Sequence, residues 1–117
     1  MIKNAAELIQ QAQQEISCVD VASAKRLFDS AENAFIIDVR EAENVAEGKV
    51  RQSIHIPRGL LEMKVSHHCP FADSIILTHC AGGGRASLSA LTLKQMGYTQ
   101  VYAITATFND IKAAFDS

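Results

Sequence analysis

The stretch Ser74–Tyr98, SIILTHCAGGGRASLSALTLKQMGY, constrains the fold more than any other segment of the chain. A short apolar run, Ser74–His79, leads without alternation into Cys80, three consecutive glycines and Arg85. A strand that is apolar at successive positions is buried on both faces, as in a covered parallel sheet. From Ala86 to Met96 the apolar residues Leu88, Leu91 and Met96 predict a helix, with Gly97 as its C-terminal stop. Ala34–Val39 (AFIIDV) is a second buried-strand run, and Val101–Ile104 is a further short strand. A weaker strand, Ser53–Ile56, stops at Pro57.

Helices are predicted around these runs. Residues Asn4–Ile16 place Ala5, Leu8, Ile9, Ala12 and Ile16 on one helical face, and Asn4 with Glu7 resembles a capping box. Asp20 caps a helix that turns Val21, Ala24, Leu27 and Phe28 inward, and Thr107 caps a last one with Phe108, Ile111 and Phe115 on one face. Strands alternating with helices of about 10 residues predict an α/β domain with a mostly parallel sheet covered on both sides. The one long irregular stretch, Arg58–Asp73, is expected to pack as a loop over a site.

Composition narrows the function classes. The chain has 117 residues, 48% of them hydrophobic, which fits one folded domain rather than a disordered segment. No apolar run approaches the roughly 20 residues of a membrane span. Eleven Lys plus Arg against 13 Asp plus Glu, with the basic residues scattered, predict neither nucleic acid nor membrane as a partner. Cys18, Cys69 and Cys80 are an odd count at irregular spacing, so free thiols in a reducing compartment are expected rather than disulfides. The opening MIKNAAELIQQAQQEI interrupts its apolar residues with Gln and Glu, unlike a secretory signal, and a cytoplasmic location is expected.

The chemistry is expected at Cys80. In a parallel sheet the carboxyl ends of the strands face the ligand crevice, and the strand before Cys80 delivers it to that edge. Gly82, Gly83 and Gly84 let the backbone turn so that N–H groups converge, and the following helix aims its positive end at the same point. Such a cradle stabilises an anion, and a cysteine thiolate at a helix N-terminus beside a cation is a nucleophile.

At this point the sequence resembles the rhodanese family of sulfurtransferases, from about Ile16 to Phe115. The pieces are IIDVREAENVAEG (Ile36–Gly48), IPRG (Ile56–Gly59), HCAGGGR (His79–Arg85) and MGYTQVYAI (Met96–Ile104). The resemblance implies a three-layer rhodanese-like domain over residues 16–117, with a central, mostly parallel sheet of about five strands flanked by helices. Residues 1–15 then form an extra N-terminal amphipathic helix. It also implies that Cys80 takes a sulfane sulfur from thiosulfate or a similar donor, holds it as a persulfide, and yields it to cyanide or a thiol, including a protein thiol. The N–H groups of Ala81, Gly82, Gly83, Gly84 and Arg85 would hold the sulfur, and no metal or organic cofactor is called for. Arg85 either attracts anionic donors or folds back to brace the loop. Asp38 and Arg40 are implied to brace the sheet edge first and to serve a donor site second. Four residues separate Cys80 from Arg85, against five in phosphatase and arsenate-reductase relatives, and the shorter loop suits a single sulfur atom.

Two motifs depart from the family pattern. Gly48–Ser53 replaces the usual Gly-His-Ile-Pro-Gly-Ala, and Thr105–Phe108 replaces an acidic residue, two glycines and Phe, with Ile111 in place of a Trp. The alternatives are therefore a non-catalytic binding or regulatory module and a phosphatase-like or arsenate-reducing enzyme. Among other candidates, Arg58 is placed either near Cys80 as a positive charge or on the surface. Cys69 is a candidate resolving thiol for Cys80, and Cys18 is expected in the core. His67, His68 and Cys69, with His79 and Cys80, are the candidates for a metal site, but His67, His68 and Cys69 are too closely spaced for a structural zinc pair, and no metal is assigned. The N-terminal helix packs either on the domain or on a second copy, giving a monomer or a homodimer.

Overall fold

The computed structural model describes all residues, 1–117. Helix α1 (Ala5–Glu15) leads into β1 (Ser17–Val19), α2 (Val21–Ser30), β2 (Ala34–Asp38), α3 (Ala42–Glu47) and β3 (Ile54–His55). A 3-10 turn, Arg58–Leu60, continues into α4 (Leu61–His68), then β4 (Ile75–His79), α5 (Gly84–Met96), β5 (Gln100–Ile104) and α6 (Phe108–Phe115). The five strands form one sheet in the order β1-β5-β4-β2-β3, every pair parallel.

The apolar strand runs are continuous because each face meets its own helical layer. Ile37, Val39, Ile76 and Ala103 pack with Leu61 and Val65 of α4 and with Ala86, Ala90 and Leu93 of α5. The alternate residues Ile36, Leu77 and Ile104 pack on the other side with Ala24 of α2 and with Ile111 and Phe115 of α6. The expected helix starts are in place. Asn4 and Glu7 form a reciprocal capping box, the Asp20 carboxylate accepts from the Ser23 N–H, and the Thr107 hydroxyl accepts from the Asp110 N–H. Gly97 ends α5 in the left-handed region, at φ 112°.

Three expectations change. Arg58–Asp73 is not a long loop, because Leu61 and Val65, one helical turn apart, seat α4 in the core. The strand expected at Ser53–Ile56 shrinks to two paired residues at the sheet edge. Cys18 is exposed rather than core, because β1 is the other edge strand and nothing covers that position. No helix is long and apolar enough to cross a membrane.

Candidate active site

Strand β4 is central, and its register sets the site. Asp38 lies beside His79 across the β2–β4 pair, so the next residues of both strands emerge together at the carboxyl edge. Side chains alternate along the strand. Thr78 faces α5, where its hydroxyl donates to the Ala86 carbonyl at 2.8 Å. His79 faces the α6 layer, and Cys80 turns back to the α5 side, in the same cluster as Val39, Ile56 and Ala86.

The Cys80 side chain is 2% exposed. Its Sγ accepts from the Gly83 N–H at 3.2 Å and from the Ala86 N–H at 3.3 Å. The turn that allows this needs a glycine at position 83. Its φ is 104°, and an added Cβ would lie 3.1 Å from the Thr105 backbone. The N–H groups of Ala81 and Gly82 make no hydrogen bond to the rest of the chain, and Gly84 and Arg85, first in α5, have no intrahelical partner. They belong to the loop that follows a buried sulfur at the positive end of a 13-residue helix. The arrangement can hold a thiolate and one further anionic atom attached to it. The Ala81 carbonyl, on the outer side of the turn, is tied to α6 by the Phe108 N–H at 3.1 Å.

A charged bracket stands behind the loop. Arg40 donates Nε and Nη2 to the Asp38 carboxylate, with contacts of 2.8–3.1 Å, and Nη2 also reaches the Gly48 carbonyl at 2.7 Å. The His55 Nε2 donates to the Arg40 carbonyl at 2.8 Å. The guanidinium lies 3.8 Å from the Phe108 ring centre, and His79 stacks on the same ring at 6.1 Å. Burial would raise the Asp38 carboxyl, but the Arg40 hydrogen bonds and nearby positive charge outweigh it and hold the group below its ordinary value. Burial lowers the His79 imidazole from 6.5 to about 4, so the ring is neutral at physiological pH. Both ring nitrogens lack a hydrogen-bond partner, and Nε2 stands 3.9 Å from the Asp38 carboxylate.

The structure brings Cys80, Ala81, Gly82, Gly83, Gly84 and Arg85 together and sets Asp38 and Arg40 directly behind them. Arg85 is half-buried, and its side chain makes no hydrogen bond or ion pair that would brace the loop. Two other candidates do not join them; Arg58 starts at the same edge, its N–H donating to the Val39 carbonyl at 3.1 Å, but its side chain runs along α5. Arg58 donates to Glu62 at 3.2 Å and to the Thr92 hydroxyl at 2.8 Å, and Thr92 is about 12 Å along α5 from Gly84. Cys69 lies at the opposite edge of the sheet, where Tyr98 donates its hydroxyl to the Cys69 carbonyl just before β5. The length of β4, about 16 Å, then separates the entry to that strand from Cys80. Burial also pushes the Cys69 thiol up to about 11, which disfavours a thiolate. His67 and His68 are exposed while Cys69 is buried, so the three do not converge. The largest cleft, about 560 Å³, is also remote from Cys80, lying between the end of α1 and Tyr98.

In the sequence His79 is only the residue before Cys80, and nothing local marks it as a partner of Asp38. Its signal is the parallel pairing of DVR with THC, which sets Asp38 beside His79.

Comparison with known proteins agrees with this fold. The family model for the rhodanese-like domain matches residues 20–114. YtwF of Bacillus subtilis (strain 168), named as a candidate sulfurtransferase, is 30% identical over 87 residues, 74% of this chain and 82% of that protein. YrkF of the same organism, named as a candidate sulfur carrier protein, is 27% identical over 92 residues. The match takes in 79% of this chain but only 49% of YrkF, so the chain spans about half the length of that relative. Among solved structures, RPA3614 of Rhodopseudomonas palustris CGA009, described as a possible tyrosine phosphatase, has a TM-score of 0.82 at 25% identity. That likeness covers 97% of this chain and 92% of the other and so reaches into α1, whereas the family match begins after it. The human single-domain sulfurtransferase TSTD1 has a TM-score of 0.69 at 20% identity, over 80% of this chain and 92% of the other. With the sheet order, the cysteine loop and the family match over residues 20–114 in agreement, the chain belongs to the rhodanese-like domain family.

Proposed function

We propose that this protein is a sulfurtransferase that carries a sulfane sulfur on Cys80. The observation that supports this most is the Cys80 sulfur at the focus of the loop. Two N–H groups already bond Sγ, and those of Ala81, Gly82, Gly84 and Arg85 remain for one more anionic atom. The Cys80 thiolate attacks the outer sulfur of a donor such as thiosulfate. The donor S–S bond breaks, sulfite leaves with the electron pair, and the Cys80 persulfide anion remains under the N–H groups. Cyanide or a thiolate then attacks the outer sulfur, and Cys80 leaves as the thiolate. The cycle consumes no net electron. Arg85, half-buried and unpaired, supplies positive charge for an anionic donor. Three free thiols support a reducing compartment.

The rival reading is phosphoryl chemistry, prompted by the description of RPA3614. Four residues between Cys80 and Arg85 make a loop one residue shorter than in the phosphatase relatives, which favours a single sulfur over a tetrahedral oxyanion. Steady-state thiocyanate formation from thiosulfate and cyanide, alongside hydrolysis of a generic aryl phosphate, separates the two. Thiocyanate formation lost in Cys80→Ser supports the proposal. Cys80-dependent phosphate release without thiocyanate overturns it in favour of phosphoryl chemistry, and inertness in both assays favours a binding module.

A further inference from the structure

The helix outside the family-matched segment is fastened to the cysteine loop. Only Ala12 of α1 is fully buried and Ile9 is half-buried, so α1 covers little of the core. Beside the Lys94 Nζ bond to the Glu15 carbonyl, two of its contacts with α5 bear on the Gly83–Gly84 peptide. A Cβ at Gly84 would lie 2.9 Å from the Ile9 Cδ1, and no other part of the molecule outside the loop comes as near. Ile9 therefore rests on the bare backbone that opens α5. One turn further along α1, Gln13 Nε2 donates to the Ser87 hydroxyl at 3.1 Å, and that hydroxyl donates to the Gly83 carbonyl at 2.6 Å. The Gly83 carbonyl and the Gly84 N–H belong to the same planar peptide unit. Its oxygen accepts from the Ser87 N–H at 2.9 Å as well as from the Ser87 hydroxyl that Gln13 orients, and Ile9 lies against the Gly84 Cα that follows it.

That peptide unit does not hold the Cys80 thiol, which is bonded by the Gly83 and Ala86 N–H groups. It carries the Gly84 N–H, one of the donors left for a second atom. A donor placed on the carbonyl by Ser87 polarises the unit and strengthens the N–H on its other side. Accepting from Gln13 leaves the Ser87 hydroxyl proton directed at Gly83 rather than at another acceptor.

We infer that Ile9 and Gln13 are positioning residues that set the Gly83–Gly84 peptide for the outer sulfur of the Cys80 persulfide. The inference rests on the sulfurtransferase reading and goes beyond it, because it places α1 within the machinery of transfer. The role is confined to the step at which the second sulfur arrives. Binding of the donor and the reactivity of the bare thiol are not its targets.

The test uses the full chain with Gln13→Leu, Ser87→Ala and the double variant. Three quantities are read: thiosulfate kcat, thiosulfate KM, and the rate constant for iodoacetamide alkylation at Cys80, followed by peptide mass. Gln13→Leu should lower kcat about threefold to tenfold, the size of one neutral hydrogen bond. KM and the alkylation rate should stay within about twofold, because the removed interaction acts only where the sulfur is transferred. The double variant should fall no further than Ser87→Ala, because Gln13 acts through that hydroxyl. In a separate pair, Gly84→Ala should lose activity by displacing Ile9, and Ile9→Ala in the same chain should restore most of it. An unchanged kcat in Gln13→Leu, additive losses in the cycle, or kcat and alkylation falling together would each overturn the inference. If wild-type protein takes no sulfur onto Cys80 from thiosulfate or polysulfide, the sulfurtransferase reading fails, and the inference falls with it. If wild type is loaded and Gln13→Leu matches it, only the inference fails.

Discussion

Substituting His79 by Phe should remove most of the loss of stability between pH 6.5 and 4.5. The imidazole is fully buried, neither ring nitrogen has a hydrogen-bond partner, and one face stacks on Phe108. Burial is the largest cause of its fall to about 4; the Asp38 carboxylate opposes that fall, and the Arg40 guanidinium adds to it. In the unfolded chain the ring titrates near 6.5, so between pH 6.5 and 4 the unfolded state binds a proton that the native state refuses. Stability is therefore full above pH 6.5, is lost progressively as the pH falls from there, and the loss is complete by about pH 4. The slope is up to about 1.4 kcal/mol per pH unit, and across the window the loss is about 3 kcal/mol. For a small domain that is a drop of about 1–3 M in the urea midpoint. Phe keeps a ring for Phe108 and has no proton to bind. Urea midpoints of wild type and His79→Phe at pH 4.5, 5.5, 6.5 and 7.5 provide the comparison. Wild type should decline toward acid, while the variant stays nearly level. Parallel curves would refute the account, because the proton uptake would then belong to another group.

Three further outcomes test the site. Gly83→Ala should nearly abolish sulfur transfer and cost about 1–3 kcal/mol in stability, because residue 83 holds φ 104° and the new Cβ would lie 3.1 Å from the Thr105 backbone; transfer at wild-type rate would contradict the cradle. Cys69→Ala should leave thiosulfate turnover within about twofold of wild type, since Cys69 lies at the other edge of the sheet, and a large loss would restore it as a helper thiol. Arg85→Ala should raise KM for thiosulfate about tenfold at low salt, with a smaller effect at high salt, as expected of a solvent-screened attraction; an equal loss at all ionic strengths would point to a brace instead.

Much of the fold is legible in local sequence because its signals are local. Asn4, Asp20 and Thr107 each precede an apolar periodicity and become helix caps, and Gly97 supplies the left-handed stop of α5. The cysteine loop is legible for the same reason, with strand, glycines and helix contiguous. Segments without a broad apolar face are harder. Helix α3 buries no residue and so leaves no periodic trace, while α4 is signalled only by Leu61 and Val65. Relations between distant segments are not written locally at all. That Cys69 and Cys80 occupy opposite edges of the sheet follows from the direction of β4 and the contact of Tyr98, and that Cys18 is exposed follows from β1 being an edge. The His79–Asp38 pairing needs the register of two strands, and the Ile9–Gly84 contact needs the placement of a helix far away in sequence.

The most direct test of the central claim is the mass of the Cys80 peptide after thiosulfate treatment and removal of excess donor, with cyanide added to a second portion. The account predicts a gain of one sulfur atom on that peptide, its loss with cyanide, and no gain in Cys80→Ser. A wild-type Cys80 peptide of unchanged mass, or the extra sulfur on the peptide containing the exposed Cys18, would contradict it.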